Sequence, residues 1–278
     1  PAVNPQHLDN SACNDARCKC NKSHNLECIM KGVFIFIDID VPEENITSIS
    51  TSCAANTTVQ EIEEMQIPFR FMHNEVEFSV HNCAVLPEIL RRANINYGGF
   101  IKFDGASPVP AHFLHNAVGL QRLCFYLEGN NTAEDILPAQ FFHNQSSLKD
   151  LELELYCEPY EITLPSQIFY TLYGLENLEV HIYRSNYMDD EKPLLHNLTA
   201  EHFRDTTNLR KLDLDDNCLQ KLSSELFVTL TELNELILRN NDLAALPSGL
   251  LGAQGKLIKL DLSFNRLQAF PPGIFDTT

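Results

Sequence analysis

Leucines recur along the C-terminal third of the chain at intervals that fit short β-strands. In each unit two leucines alternate with polar residues, an asparagine follows three positions after the second leucine, and the whole pattern then recurs at a constant interval. Three such units read L-x-x-L-x-L-x-x-N-x-L, over residues 209–219, 233–243 and 257–267. Because side chains alternate between the two faces of a strand, the paired leucines should point into a core and the residues between them outward.

A second apolar motif, close to L-P-x-x-x-F, ends each unit and extends the pattern upstream. Its closing residues are Leu114, Phe142, Phe169, Phe203, Phe227, Leu251 and Phe275. The last four are evenly spaced, and the interval before them, from Phe169 to Phe203, is the longest and contains an insertion around residues 186–195. Upstream strands are predicted at residues 76–80, 100–103, 123–125, 151–153 and 178–180. The aromatic closing residues should stack behind the sheet as an apolar spine.

This combination is typical of the leucine-rich repeat, whose units bury a shared core by stacking into an α/β solenoid. We therefore predict a leucine-rich-repeat horseshoe with a parallel concave β-sheet, of about eight repeats over residues 76–278. Asn217, Asn241 and Asn265 stand where the chain leaves each strand, so their amides should satisfy backbone groups in the turns. The last unit leaves Leu262 and Phe275 without a cover, so we expect the chain to be a truncated piece of a longer solenoid.

Cysteines crowd the chain ahead of the repeats, and residues 1–75 are predicted to form a cap stapled by disulfides. Six of the nine cysteines lie at or before position 83, and they are Cys13, Cys18, Cys20, Cys28, Cys53 and Cys83. A zinc site usually presents paired C-x2-C motifs, which this spacing does not contain. A solenoid needs its first apolar edge covered, and small caps commonly need disulfides to hold. Within the cap, residues 37–41 alternate like a strand with one wet face.

The pairing of the first four cysteines stays open at the level of sequence. Four cysteines allow three connectivities. We favour the interleaved one, Cys13–Cys20 with Cys18–Cys28, over a nested one. Residues 18 and 20 lie too close in the chain for an easy unstrained bridge to each other, and this argument leaves both of these pairings open.

The remaining cysteines leave one without a partner. Cys53 and Cys83 are expected to bridge and to staple the segment between them. Cys124, Cys157 and Cys218 are an odd number, so we expect one of them to be a buried free thiol. An intermolecular bridge is the alternative.

Six N-x-S/T sequons indicate an exported glycoprotein. Their asparagines are Asn21, Asn45, Asn56, Asn130, Asn144 and Asn197. Export favours disulfides over thiols, in agreement with the crowded cysteines. The last three sequons fall outside the predicted strands, so the strand face should be free of bulky glycans.

The chain is strongly acidic, with 38 acidic and 20 basic residues, a formal net charge of −18 and a pI of about 4.8. Such a chain repels nucleic acid and anionic membranes, so we predict no nucleic-acid partner and expect a basic protein partner. The longest apolar run, residues 33–37, is too short to span a bilayer. The chain begins at Pro1 without a Met or a signal-peptide core, which suggests a processed start.

The clustered cysteines, followed by irregular and then regular repeats, resemble the N-terminal region of insect-type Toll receptors over nearly the whole chain. This resemblance implies an extracellular, ligand-binding fragment of a transmembrane signalling receptor, with a membrane span and an intracellular TIR domain beyond residue 278. It also implies a dimeric cystine-knot cytokine of the Spätzle class as the ligand, bound through the cap and the concave region, and a receptor homodimer driven by ligand. The alternative is a secreted leucine-rich-repeat matrix or adhesion protein.

The outward positions of the strands are the candidate ligand-binding residues, since they face the concave surface. We select Glu77, Arg122, Tyr126, Asp150, Glu152, Glu154, Glu179, His181 and Asp213. Acidic residues dominate the middle of this surface and would steer a basic ligand. The alternative is that a solvated strand face is simply polar. A few aromatic contacts should supply most of the binding energy, with Tyr126 and Tyr183 as candidates.

Nothing in the sequence indicates an enzyme, a bound metal or a cofactor. His112 and His115 lack the glutamate and the spacing of H-E-x-x-H. Three glutamates at residues 61–64 are expected to be a solvated face. The chain contains no G-x-S-x-G, P-loop or G-x-G-x-x-G motif. We therefore predict a binding protein with no catalytic residues, no metal and no cofactor.

Overall fold

The computed structural model describes residues 18–20, 26–30, 33–40, 45–53, 76–81, 99–104, 109, 114, 119–128, 137–157, 161–184 and 194–276. β-Strands occur throughout the described part of the chain. They are β1 (Cys18–Cys20), β2 (Leu26–Met30), β3 (Val33–Asp40), β4 (Asn45–Cys53), β5 (Val76–His81), β6 (Gly99–Asp104), β7 (Arg122–Glu128), β8 (Asp150–Cys157), β9 (Glu161–Thr163), β10 (Asn177–Arg184), β11 (Leu194–His196), β12 (Lys211–Asp213), β13 (Glu235–Ile237) and β14 (Lys259–Asp261).

One sheet of twelve strands runs through the molecule in the order β1-β2-β3-β4-β5-β6-β7-β8-β10-β12-β13-β14. The first four strands pair antiparallel, and every pair from β4 onward is parallel. Strands β9 and β11 pair separately, parallel to each other. Parallel neighbours need a crossover between them, so each coil returns behind the sheet before the next strand begins. The predicted leucine-rich-repeat solenoid with a parallel sheet is confirmed.

Leucines at matching positions of successive strands form the core. The row that follows the sheet register is Leu123, Leu151, Leu178, Leu212, Leu236 and Leu260. All but the last are fully buried, whereas Leu260, on the final described strand, is only partly buried. Each buried leucine removes enough apolar surface from water to stabilise the fold by about 2 kcal/mol. Stacking therefore supplies the core that no single coil has.

The predicted aromatic spine lies behind the sheet. Phe142, Phe169, Phe203 and Phe227 are all buried, with successive ring centroids 6.4, 6.2 and 6.4 Å apart. The connections that carry them turn through N–H···O bonds between residues three apart, such as Ile168 to Pro165 and Leu226 to Ser223. These are tight turns, and the helical segment of the described chain is a 3-10 helix over Ala200–Phe203. Because few residues separate each closing motif from the next strand, no longer helix fits between them.

The asparagine ladder is confirmed. The Asn241 side-chain oxygen accepts from the Asn217 and Leu219 N–H groups at 3.2 and 2.9 Å, and its amide nitrogen donates to the Leu214 carbonyl at 2.9 Å. Asn241 is 4% exposed, so these bonds satisfy buried backbone groups. Each asparagine thereby ties its own coil to the preceding one.

The predicted cap and the repeats share one sheet. Strand β4 lies inside the predicted cap, residues 1–75, yet it pairs in parallel with β5, the first predicted repeat strand. The backbones of Cys18 and Cys28 are direct partners in the β1–β2 pair, where Cα atoms are separated by a distance that a disulfide can span. This register fits the Cys18–Cys28 half of the favoured pairing. The bridges that involve Cys13 and Cys83 lie outside the described residues and stay predictions.

Candidate protein-binding face

The outward side chains of β7, β8, β10 and β12 form the best-described part of the concave surface. Burial alternates along β8 and β10, with leucine, isoleucine or valine inside and polar or aromatic residues half-exposed. Across the sheet one outward row contains Cys124, Glu152, Glu179 and Asp213, which are Cα partners in turn. A second row contains Tyr126, Glu154 and His181.

The N-terminal rim of this surface is held by a polar chain. The Arg122 Nε lies 3.0 Å from the Asp150 carboxylate, and the Asn177 amide donates to the other oxygen of Asp150. These two predicted site residues, Arg122 and Asp150, therefore neutralise each other. Because the pair is largely exposed, we expect it to stabilise the fold by less than about 1 kcal/mol.

Two carboxylates at the centre of the surface have no lysine or arginine partner among the described residues. Burial first, then the charge of Glu152, raises the pKa of Glu154 above its ordinary value. The Cys124 Sγ and one oxygen each of Glu152 and Glu154 lie within 4.8 Å of one another, so the three groups could share a metal ion. Burial and both carboxylates raise the pKa of this free thiol, which disfavours the thiolate that a metal needs. The centre is thus a site of unbalanced negative charge.

By contrast, the negative charge of the neighbouring Glu179 is balanced by a lysine and a histidine. The Lys211 Nζ donates to the Glu179 carboxylate at 2.5 Å, and the His181 Nε2 is 3.8 Å from its other oxygen. The contact with His181 and the hydrogen bond and charge of Lys211 outweigh burial and lower the pKa of Glu179 to about 2. The contact with Glu179, aided by the charge of Asp213, outweighs burial and raises the pKa of His181.

Three tyrosines stack across the surface. Ring centroids are 4.6 Å apart between Tyr126 and Tyr156 and 4.8 Å apart between Tyr156 and Tyr183. The Lys102 Nζ lies 4.8 Å from the Tyr126 ring centre at one end. At the other end, burial and the charge of Glu154 raise the pKa of Tyr183 to about 12, so its hydroxyl remains a donor. We call Tyr126, Tyr156 and Tyr183 the tyrosine row.

The tyrosine row exists because its strands are long. Tyr156 and Tyr183 stand five positions after the first core leucines, Leu151 and Leu178, the same offset at which Asn217 follows Leu212. In the regular coil the strand has ended and the asparagine turns inward. In β8 and β10 the strand continues, so alternation places the tyrosines outward.

The structure brings some of the predicted site residues together. Tyr126, Glu152, Glu154 and His181 come together around the tyrosine row. Asp213 lies in the same row of the sheet but is 9% exposed, and its carboxylate accepts from the Asp215 N–H at 3.0 Å, so its contact with a ligand stays a prediction. A following turn needs that acceptor.

Other predictions have different outcomes. Glu77 is on β5, but its side chain lies outside the described residues, as do the His112–His115 pair and the glutamates at 61–64. Tyr156 was not selected from the sequence, although the unbroken alternation of residues 151–156 was the signal that could have shown it.

The sequons fit the surface only in part. Asn144 and Asn197 are exposed on turns with φ of 69° and 58°. Asn45, however, is the first residue of β4, so the sheet does carry one sequon on a strand. The sequons at Asn21, Asn56 and Asn130 lie outside the described residues.

No helix among the described residues combines the length and apolar content that crossing a bilayer requires. Models of the leucine-rich repeat match residues 192–243 and 256–277. No curated protein sequence is significantly similar to this chain.

Solved structures resemble the chain over much of its length. A chain of the Drosophila Toll–Spatzle complex matches 97% of this chain at 20% identity with a TM-score of 0.53, and its glycosylated form matches the same share with a TM-score of 0.52. This chain spans 38% of the length of that one. A chain of the TLR13–ssRNA13 complex matches 73% of this chain at 16% identity with a TM-score of 0.47. The match covers 30% of the length of the TLR13 chain. The stacked coils, the matching models and the Toll structures show that this chain is a leucine-rich-repeat solenoid.

Proposed function

We propose that this chain is the ligand-binding part of the extracellular region of a Toll-type signalling receptor. The observation that carries the proposal is the concave face, where the tyrosine row borders two carboxylates without a lysine or arginine partner among the described residues. Aromatic side chains at the centre of a surface are the usual anchors of a protein interface. Unbalanced charge beside them would select a partner of opposite charge.

The proposed ligand is a dimeric cystine-knot cytokine of the Spätzle class, held by the cap and the concave face. The Toll chain of similar fold is in complex with Spatzle, and the sequence resemblance implies a ligand of the same class. A dimeric ligand would bring two receptors together, which is the proposed means of signalling through a membrane span and a TIR domain elsewhere in the protein. Exposed sequons at Asn144 and Asn197 support the extracellular location.

We propose a protein ligand in place of a nucleic acid because of charge. With a net charge of −18 and its carboxylates on the concave face, the chain would repel phosphates. No catalytic, metal or cofactor role is assigned, and the proposed activity is binding alone.

Surface plasmon resonance with processed, dimeric Spätzle-class cytokines tests the proposal. We expect saturable binding that weakens as salt rises. The double variant Glu152→Lys plus Glu154→Lys should lose binding. A matched control, Glu225→Lys plus Glu232→Lys, makes the same charge change on the turns between β12 and β13 and should keep it.

Two outcomes would contradict parts of the proposal. If the affinity is the same at low and high salt and in both double variants, the receptor assignment would stand. The ligand site would then lie away from the central concave surface. Failure to bind any cytokine of the class would favour the matrix or adhesion protein.

A further inference from the structure

Glu154 lies at the centre of a cross of half-buried side chains. Glu152 and Tyr156 precede and follow it on the same face of β8, and Tyr126 and His181 are its Cα partners on β7 and β10. All of these are fixed on paired strands and not on loops. The geometry around the carboxylate is therefore rigid before any partner arrives.

The described cations around the two carboxylates have other contacts, and the Lys102 Nζ lies over the Tyr126 ring. Arg122 pairs with Asp150, and Lys211 pairs with Glu179. Glu152 and Glu154 instead face each other and the Cys124 thiol. Over the part of the chain that the structure describes, neither forms an ion pair with lysine or arginine, so the surface has a place for one added positive charge.

The aromatic neighbours suit a planar cation. This chain already sets the Arg204 guanidinium 3.9 Å from the Tyr170 ring centre, and Arg239 4.9 Å from that of Phe264. A guanidinium can contact a ring and donate two parallel hydrogen bonds to a carboxylate at once, whereas an ammonium acts as a point charge.

We infer that the protein partner inserts an arginine side chain against Glu152 and Glu154, beside the tyrosine row. This inference rests on the proposed function and adds the chemistry of its central contact. Among the described residues Glu154 is half-buried without a lysine or arginine partner, and its contacts with His181 and Tyr156 offset only part of the cost of its burial beside Glu152. Removing its charge should therefore strengthen the fold and weaken binding, two effects of opposite sign that a merely structural residue would not produce.

A short arginine peptide tests the contact without the cytokine. The full chain, labelled on its tyrosine rings, is titrated with acetyl-Gly-Arg-Gly-Arg-Gly-amide and followed by NMR. Saturable shifts of the Tyr126, Tyr156 and Tyr183 signals are expected. The double variant Glu152→Gln plus Glu154→Gln should weaken binding about tenfold. The control Glu225→Gln plus Glu232→Gln removes the same charge and should change it less than about twofold.

A second peptide, with citrulline in place of arginine, keeps the shape and removes the charge, and it should leave the tyrosine signals unshifted. Equal losses in the two double variants would overturn the inference, because the attraction would then belong to the net charge. Another overturning result is that Zn²⁺ at equimolar concentration shifts the same signals and protects Cys124 from alkylation while the arginine peptide has no effect. Peptide binding without cytokine binding would retain this contact and reject the proposed receptor function.

Discussion

The regular coils and the middle coils of this solenoid use the same inward pattern but differ in their outward one. Strands β12, β13 and β14 have three residues each, whereas β7, β8 and β10 have seven or eight. Four residues after each short strand ends, an asparagine turns toward the core; Asn217 and Asn241 are buried and Asn265 is half-buried. The long strands continue, so that β8 and β10 carry the outward Tyr156 and Tyr183 at the equivalent offset, and β7 carries Tyr126 two positions earlier.

Charges also differ between the two regions. In the regular coils, Lys211, Glu235 and Lys259 alternate along one row, and the Lys259 Nζ lies 2.6 Å from Glu235. In the middle coils the central carboxylates lack such partners among the described residues. The regular repeats therefore pair their charges and stabilise the fold. The longer strands of the middle coils instead present carboxylates that have no lysine or arginine partner among the described residues. Four predictions test this division, in order of decreasing size of the effect.

The apolar spine should tolerate truncation only at its end. Phe203→Ala removes a fully buried ring between Phe169 and Phe227, and we expect a loss of about 4 kcal/mol in the free energy of unfolding. Phe275, which is 48% exposed, should lose less than about 1 kcal/mol in the same change. Urea unfolding measures both. Equal losses would show that the open end is packed as tightly as the interior.

In the asparagine ladder, too, a substitution in the interior should cost more stability than one at the end. Asn241→Ala leaves the buried Asn217 and Leu219 N–H groups without their acceptor, at a cost of roughly 3 kcal/mol. Asn265→Ala removes one such bond, to the Leu243 N–H at 3.0 Å, from a half-buried site, and should cost about 1 kcal/mol. The exposed residue Asn208, changed to alanine, is the control in urea unfolding. A loss for Asn241→Ala no larger than that control would refute the ladder's structural role.

Glu154→Gln should strengthen the fold of the free chain. It removes a charge that burial and Glu152 both disfavour, which we expect to add about 0.5 kcal/mol after allowance for solvent screening. Glu235→Gln, which breaks the ion pair with Lys259, should have the opposite sign and a similar or smaller size. Thermal unfolding at neutral pH compares them. If Glu154→Gln lowers the melting temperature, the carboxylate is satisfied in the free protein.

The smallest expected effect is a pH dependence from His181. Its folded pKa is raised, so the protonated ring stabilises the fold fully below its ordinary pKa of 6.5, and this contribution is lost as pH rises through the folded value. We expect about 0.3 kcal/mol, since the partly exposed network is screened. Urea midpoints between pH 6 and pH 8.5 should fall less in His181→Gln than in the parent chain. Parallel curves would assign the dependence elsewhere.

Much of the fold could be predicted because leucine spacing repeats one physical requirement. A coil must bury Leu212 and Leu214, and the next coil must do the same with Leu236 and Leu238. The role of Asn217 as a hydrogen-bond partner of the turn follows from its position relative to these leucines. The candidate site was less accessible, because outward positions have no such requirement. Alternation identified Tyr126 and the glutamates of the middle coils, but it left out Tyr156 and selected Asp213, which the turn after β12 holds as a buried acceptor.

The fixed period of the leucines is enough to predict stacked parallel strands, since a single coil has no other way to remove them from water. Which outward charges meet depends on the folded arrangement of the coils. Lys211 reaches Glu179 on the neighbouring coil, while Glu152 and Glu154 have no such neighbour in the described chain. The reason is distance: electrostatic balance depends on a few ångströms between side chains of different coils, and the spacing of residues along the chain does not contain those distances.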